Sequence, residues 1–351
     1  MNRPALEHNA IRPDWLASRQ EDAIDPGRPI VDAHHHLYDR RPGVKYLFDD
    51  LLSDLSCGHD VRATVYVQAR AMLRQDGPAH MRSVGETEFA NGVAAMSASG
   101  LYGNTRVCAG IVGFADLRLG AAVHQVLEAH VMAAGGTAKT GGRFRGIRQG
   151  CAWDPDPSFL NPAYPTTEDM LASAEFLAGF EQLDKLGLSF DAWLFFHQIP
   201  RLTALARTFP ETPIVLNHCG GILGTGPYAG RRQEVFTQWQ KALVELSTCP
   251  NVMVKLGGLG MRLSGFEFEA GALPPSSTEL AKAWRPWVDA CVDAFGTERC
   301  MVESNFPVDK GSYSYGIGIN AMKRLFSSAS EDDRENVFWR TASRFYQLPG
   351  L

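Results

Sequence analysis

The residues best suited to chemistry fall at the ends of short apolar runs. Three adjacent histidines, His34, His35 and His36, close IVDAHHH, and His218 closes PIVLNH just before CGG. A neutral imidazole can bind a divalent metal ion or a substrate oxygen. If the first run is a strand, side chains alternate between its faces. With Asp32 and His34 on one face, His36 joins them and His35 points away, toward the layer between strands and helices or the next loop. The plainer alternatives are a polar turn for the triplet and a helix cap for His218. The stretch RFRGIRQ clusters Arg143, Arg145 and Arg148. A charge inside a strand requires a partner or a ligand, and Arg145 and Arg148 suit a substrate carboxylate held by forked hydrogen bonds. An ion pair at the rim of the fold is the alternative, and at least one arginine is expected to face the site. Other run ends offer Gln68 and Arg70, then Trp193, His197 and Gln198, then Lys255, and lastly Glu303, Asn305 and Asp309. Burial would depress the pKa of Lys255 and make it a base or electrophile, with a structural lysine as the equal alternative.

Something must bring these ends together. Eight short apolar runs rich in Val, Ile and Phe lie at 30–34, 63–69, 107–114, 144–149, 188–195, 213–218, 251–256 and 300–305. Their composition suits strands buried on both faces. Between them run helical stripes, such as Val123, Val126, Leu127 and Val131, and two segments end at glycines suited to close a helix. Eight strands alternating with helices predict an α/β fold, a single-domain (β/α)8 TIM barrel over 29–351 behind an N-terminal extension, 1–28. A doubly wound open sheet competes, but no GxGxxG turn is present. The long Gly- and Pro-rich segments 70–86, 150–169, 219–232 and 257–278 each follow a strand. A barrel gathers such loops at its C-terminal face, where active sites are built.

Composition narrows the partners. The 351 residues carry a formal net charge of -5, so no basic excess is available for nucleic acid or an anionic membrane. No run of about 18 apolar residues predicts a membrane span, and the first residues do not read as a secretory signal. A cytoplasmic location is therefore expected, with homo-oligomer formation left open. Seven cysteines without a CxxC spacing read as reduced thiols. Cys108 and Cys300 are expected in the core, and Cys219, beside His218, is a remote candidate nucleophile.

Taken in order, VDAHHHLYD, VLNHCGG and ESNFPVD resemble the strand motifs of the amidohydrolase superfamily, in the branch that includes 2-pyrone-4,6-dicarboxylate lactonase and sugar-lactone lactonases. The resemblance runs from about residue 30 to 345 and implies a TIM-barrel hydrolase acting on a small, anionic, carboxylated or sugar-like lactone. It also implies His34, His36 and His218 as ligands of one divalent ion, zinc or manganese, although some of its lactonases work without metal. Gln68, Arg145, Arg148, Trp193 and Lys255 are the substrate-binding candidates, and Asn305 and Asp309 join the histidines as catalytic candidates. One departure stands out. The family motif commonly reads SDWP and its aspartate takes the proton of the attacking water, whereas here it reads SNFP, and the amide of Asn305 cannot take that proton. The base is then sought among Asp309, Glu303, Asp191 or a histidine. No fourth-strand bridging lysine or glutamate is evident, which argues against a binuclear centre. Two other readings keep the fold: a decarboxylase or hydratase of aromatic-degradation intermediates, and a barrel that binds a ligand without catalysis.

Overall fold

The computed structural model describes residues 8–41, 43–348 and 350. Eight parallel strands form one sheet in sequential order. They are β1 (Ile30–His35), β2 (Val61–Val67), β3 (Arg106–Gly113), β4 (Phe144–Ile147), β5 (Ser189–Ala192), β6 (Ile214–Leu216), β7 (Val252–Leu256) and β8 (Cys300–Val302). The first and last are joined just beyond their ends. Asn305 N–H donates to the His34 carbonyl at 2.9 Å and His36 N–H to the Phe306 carbonyl at 2.8 Å. The sheet thereby closes into the (β/α)8 barrel, as the eight apolar runs predict.

A helix follows every strand: α1 (Phe48–Leu55), α2 (Val84–Ala98), α3 (Val123–Ala133), α4 (Ala174–Leu186), α5 (Ile199–Thr208), α6 (Arg232–Ser247), α7 (Ser277–Phe295) and α8 (Tyr315–Leu325). The stripe on α3 buries Val123, Val126 and Leu127. Helix α4 ends at Gly187 in the left-handed conformation, at φ 63°, where a Cβ would be strained. No helix among the described residues is long and apolar enough to cross a membrane.

Two apolar layers account for the strand sequences. One lies between strands and helices, and contains Ile30, Phe144, Phe190 and Val302, with Cys108 and Cys300. The other fills the barrel, where Val31, Val65, Val215 and Met301 meet Phe345, Tyr346 and Leu348 from the C-terminal segment. That segment closes the floor of the barrel, so the loops at the opposite end are left to form the site.

The parity of β1 differs from the simple alternation. Val31 and Ala33 face the interior, whereas Asp32 takes hydrogen bonds from Ser304 N–H at 2.9 Å and Tyr315 Oη at 3.0 Å, on the side of β8 and α8. The pairing of β1 with β2 then slips: Asp32 to His35 spans one more residue than Thr64 to Tyr66 opposite. This bulge turns the strand by one residue, so His34 enters the barrel although Asp32 does not share its face. His35 lies in the outer layer, with Nε2 at 2.8 Å from Thr64 Oγ1 and its ring edge-on to Tyr66.

Candidate active site

The mouth holds a cavity of about 130 Å³. His36, Gln68, Arg148, Trp193, His218 and Asn305 line it, and they come from the ends of six different strands. Arg40 and Arg262 add two further cations, and no carboxylate lines the cavity among the described residues.

Glu303 lies beneath His218, and its carboxylate organises the floor. Its Oε1 accepts the His218 backbone N–H at 3.0 Å and the ring Nδ1–H at 2.7 Å. His218 Nε2 is thus left unprotonated at the cavity. Burial lowers the His218 pKa, and the Glu303 charge opposes that shift. The close approach needs the glycines after β7. A Cβ on Gly257 would lie 2.4 Å from Glu303 Cγ, and one on Gly258 would lie 2.4 Å from His218 Cβ. His218 and Asn305 themselves sit at positive φ, 57° and 55°, a cost that surrounding contacts must offset.

His34 is wholly buried below the cavity, with polar neighbours around both nitrogens. Nδ1 lies 3.2 Å from Lys255 Nζ and 3.0 Å from Glu303 Oε2. Nε2 lies 3.2 Å from His36 Nε2 and 3.1 Å from Arg148 Nη1. His36 donates its own Nδ1–H to the Val67 carbonyl at 2.7 Å, so its Nε2 is an acceptor. Burial above all, then Lys255, holds the His34 pKa well below the usual histidine range; burial and Arg148 do the same for His36. Both rings are neutral.

The set His34, His218 and Glu303 brings ligand atoms within 4.8 Å of one another. Glu303 Oε2 is buried and has no hydrogen-bond partner, and an orphaned carboxylate oxygen between two imidazoles suits a divalent ion. Glu303 replaces His36 in the trio expected from the sequence. Lys255 and Arg148 flank the place, and their charges weaken the hold on any ion there.

Three sequence expectations need correction. Arg145 does not face the mouth. It stands at the start of β4, near the barrel floor, where Nη1 donates to the carbonyls of Gly142 and Phe144 at 2.8 and 3.2 Å. Burial lowers its pKa to about 10. Three residues along a strand span roughly 10 Å, enough to separate Arg145 from Arg148. Lys255 does not line the cavity either. It is 0% exposed and lies 2.6 Å from Asp191 Oδ2, in an interior layer that Asp191 shares with Asn217 and Tyr346. Asp309 stands behind Asn305, and its oxygens accept from Asn305 Nδ2, Gly260 N–H and Tyr313 Oη at 2.8–2.9 Å. Burial raises its pKa to about 7, yet it does not reach the cavity; it fixes the Asn305 amide.

No local pattern singles out Tyr164, which donates from Oη to Gln68 Oε1 at 3.0 Å, or Tyr346, which donates to Asp191 from the C-terminal segment. Glu303 did carry a signal: it directly follows Val302, the last residue of β8, where a polar residue after an apolar run marks the mouth.

A family model for amidohydrolases matches residues 31–348. The chain belongs to the amidohydrolase family. This amidohydrolase is 32% identical over 340 residues to the uncharacterized protein y4mH of Sinorhizobium fredii, covering 91% of this chain and 98% of that protein. It is 25% identical over 332 residues to an L-fucono-1,5-lactonase of Burkholderia multivorans, covering 91% and 96%. Among solved structures, an amidohydrolase from Burkholderia multivorans with bound zinc superposes with a TM-score of 0.68 at 25% identity, covering 91% and 99%. Lactonases among the relatives support an enzyme with amidohydrolase-type lactone hydrolysis.

Proposed function

We propose that this amidohydrolase opens the lactone ring of a small acid, carboxylated or sugar-like. The observation that carries the reading is the His218–Glu303 pair. Glu303 holds the proton on Nδ1, so Nε2 can take a proton from water at the cavity, and the carboxylate stabilises the imidazolium that forms. The pair supplies the base that Asn305 cannot. Water attacks the ring carbonyl carbon as His218 takes its proton. Arg148, with no carboxylate partner among the described residues, faces the negative charge that develops on the carbonyl oxygen. The ring C–O bond then breaks, His218 returns the proton to the departing alkoxide, and a hydroxy acid leaves. Gln68, Trp193 and Asn305 shape the cavity around the substrate. Its arginines favour an anionic ligand, and the relative named L-fucono-1,5-lactonase supports the lactone.

His34, His218 and Glu303 would hold a divalent ion, with His36 beside them; ligation through Nε2 would take His218 out of the base role, so the ion and the His218 base are alternative ways of activating the water. Zinc is supported by the zinc-bound relative at 25% identity. Such an ion would act as a Lewis acid and lower the pKa of bound water.

Acid release from a panel of aldonolactones, followed with a pH indicator, tests the reading. Ring opening in the wild type and its loss in His218→Ala and Arg148→Ala, with folding intact by circular dichroism, are expected. Carbon dioxide release in place of ring opening, or normal turnover in both variants, would refute it. The pH dependence adds a second check. Only unprotonated His218 can act as base, and its pKa is lowered from 6.5. The acid limb of kcat/KM is therefore expected below pH 6.5; a limb at or above that value counts against His218 as the base.

A further inference from the structure

The amidohydrolase match begins at residue 31, and relatives aligned over 96–99% of their own length cover 91% of this chain. Residues 8–29 precede the match, yet they help to build the cavity. Asn9 is buried and donates from Nδ2 to Ser312 Oγ at 2.9 Å, while Ser312 Oγ donates to the Gly260 carbonyl at 2.7 Å. A Cβ on Gly311 would lie 2.4 Å from the Asn9 carbonyl oxygen, so Asn9 can sit there only because residue 311 is glycine. Arg12 Nη2 donates to the Glu269 carbonyl at 2.6 Å and its guanidinium stacks 4.0 Å from the Trp15 ring centre. Trp15 Nε1 in turn donates to the Gly271 carbonyl at 3.0 Å. Residues 9–15 are thus pinned to the loops after β7 and β8. The β7 loop also gives Met261, Arg262 and Leu263 to the cavity wall.

His8 immediately precedes the Asn9 anchor and stands in that wall with Arg40. It is exposed, whereas His218 is buried, so His8 marks the rim and His218 the floor. Arg40 is held over the Tyr38 ring at 4.3 Å, with Nη2 donating to the Ala69 carbonyl at 3.1 Å. We propose that His8 is a specificity-determining residue: with Arg40 it reads a carboxylate on the end of the substrate remote from the reacting carbonyl. The Arg40 charge opposes protonation of the His8 imidazole, so the two lie near each other, and a guanidinium beside a neutral imidazole in the wall of a cavity without acidic lining suits a carboxylate far better than a hydroxymethyl group. The segment lies outside the family match, so it provides a means for this chain to select a substrate that its lactonase relatives need not share. This proposal rests on the lactonase reading for its reacting end only.

D-glucaro-1,4-lactone and D-glucono-1,4-lactone differ only at carbon 6, carboxylate against hydroxymethyl. Wild type is expected to favour the first in kcat/KM. His8→Ala is expected to reduce that preference about tenfold, as loss of a hydrogen bond to a charged group implies, and His8→Gln to restore part of it. Calorimetric titration with D-glucarate and D-gluconate gives the same comparison without turnover. If wild type opens no lactone of the panel yet binds glucarate preferentially and His8→Ala does not, the lactonase reading falls and the His8 proposal stands. A wild type without preference for the member of each pair that carries the carbon 6 carboxylate, or a His8→Ala protein with the preference intact, overturns the proposal.

Discussion

Glu303→Gln is expected to lower kcat by about a hundredfold to a thousandfold. Two donors converge on Glu303 Oε1, the backbone N–H and the ring Nδ1–H of His218. A glutamine at 303 would therefore place its carbonyl oxygen there and keep the His218 proton on Nδ1. The tautomer survives and only the charge is lost. What remains is a base whose protonated form is no longer stabilised by an adjacent anion, at a position buried from solvent. The same argument fixes the pH response. Glu303 raises the His218 pKa against burial, so removing its charge moves the acid limb of kcat/KM further down. A purely structural role would reduce the amount of folded enzyme and leave the limb in place. Steady-state kinetics over pH 4–9, with metal content of both proteins measured by elemental analysis, separate the cases. A glutamine variant within twofold of wild type would refute the role.

The fold and part of the site could be read from the sequence, each for a physical reason. Barrel strands are covered on both faces, so they appear as unbroken apolar runs, and the polar residue ending such a run marks the mouth. His36, Arg148 and His218 were found in this way. Depth along a strand is harder to read. Arg145 and Arg148 belong to one short segment, yet one lies near the floor and the other at the mouth. Lys255 stands one residue before the end of its run, inside β7, and lies one layer lower than His218, against Asp191. The bulge in β1 is set by pairing with β2 and leaves no mark on the composition of IVDAHH. Tyr346 and His8 reach the barrel from opposite ends of the chain, by contacts that no local pattern encodes.

Lys255→Met is expected to destabilise the protein by about 3–5 kcal/mol, the cost of leaving a buried charge without its partner. Asp191 would keep the hydrogen bonds from Tyr346 Oη at 2.9 Å and Asn217 Nδ2 at 3.1 Å, but both donors are neutral and neither cancels its charge. Pairing Lys255→Met with Asp191→Asn removes the second charge while residue 191 keeps a carbonyl oxygen for those donors. The double variant is therefore expected to regain most of the lost stability, and the cycle to show a coupling of several kcal/mol. Catalysis should not recover with it. Lys255 is the donor at His34 Nδ1; without it the ring is free to carry its proton on Nδ1, toward Glu303 Oε2 at 3.0 Å, which ties up the orphaned oxygen and changes what His34 presents to His36 and Arg148. Urea midpoints of the four proteins in the cycle measure the first effect, and kcat of the refolded double variant the second. If the double variant is as unstable as Lys255→Met, the ion pair is not what holds this layer. If it is both stable and fully active, Lys255 has no part in setting His34.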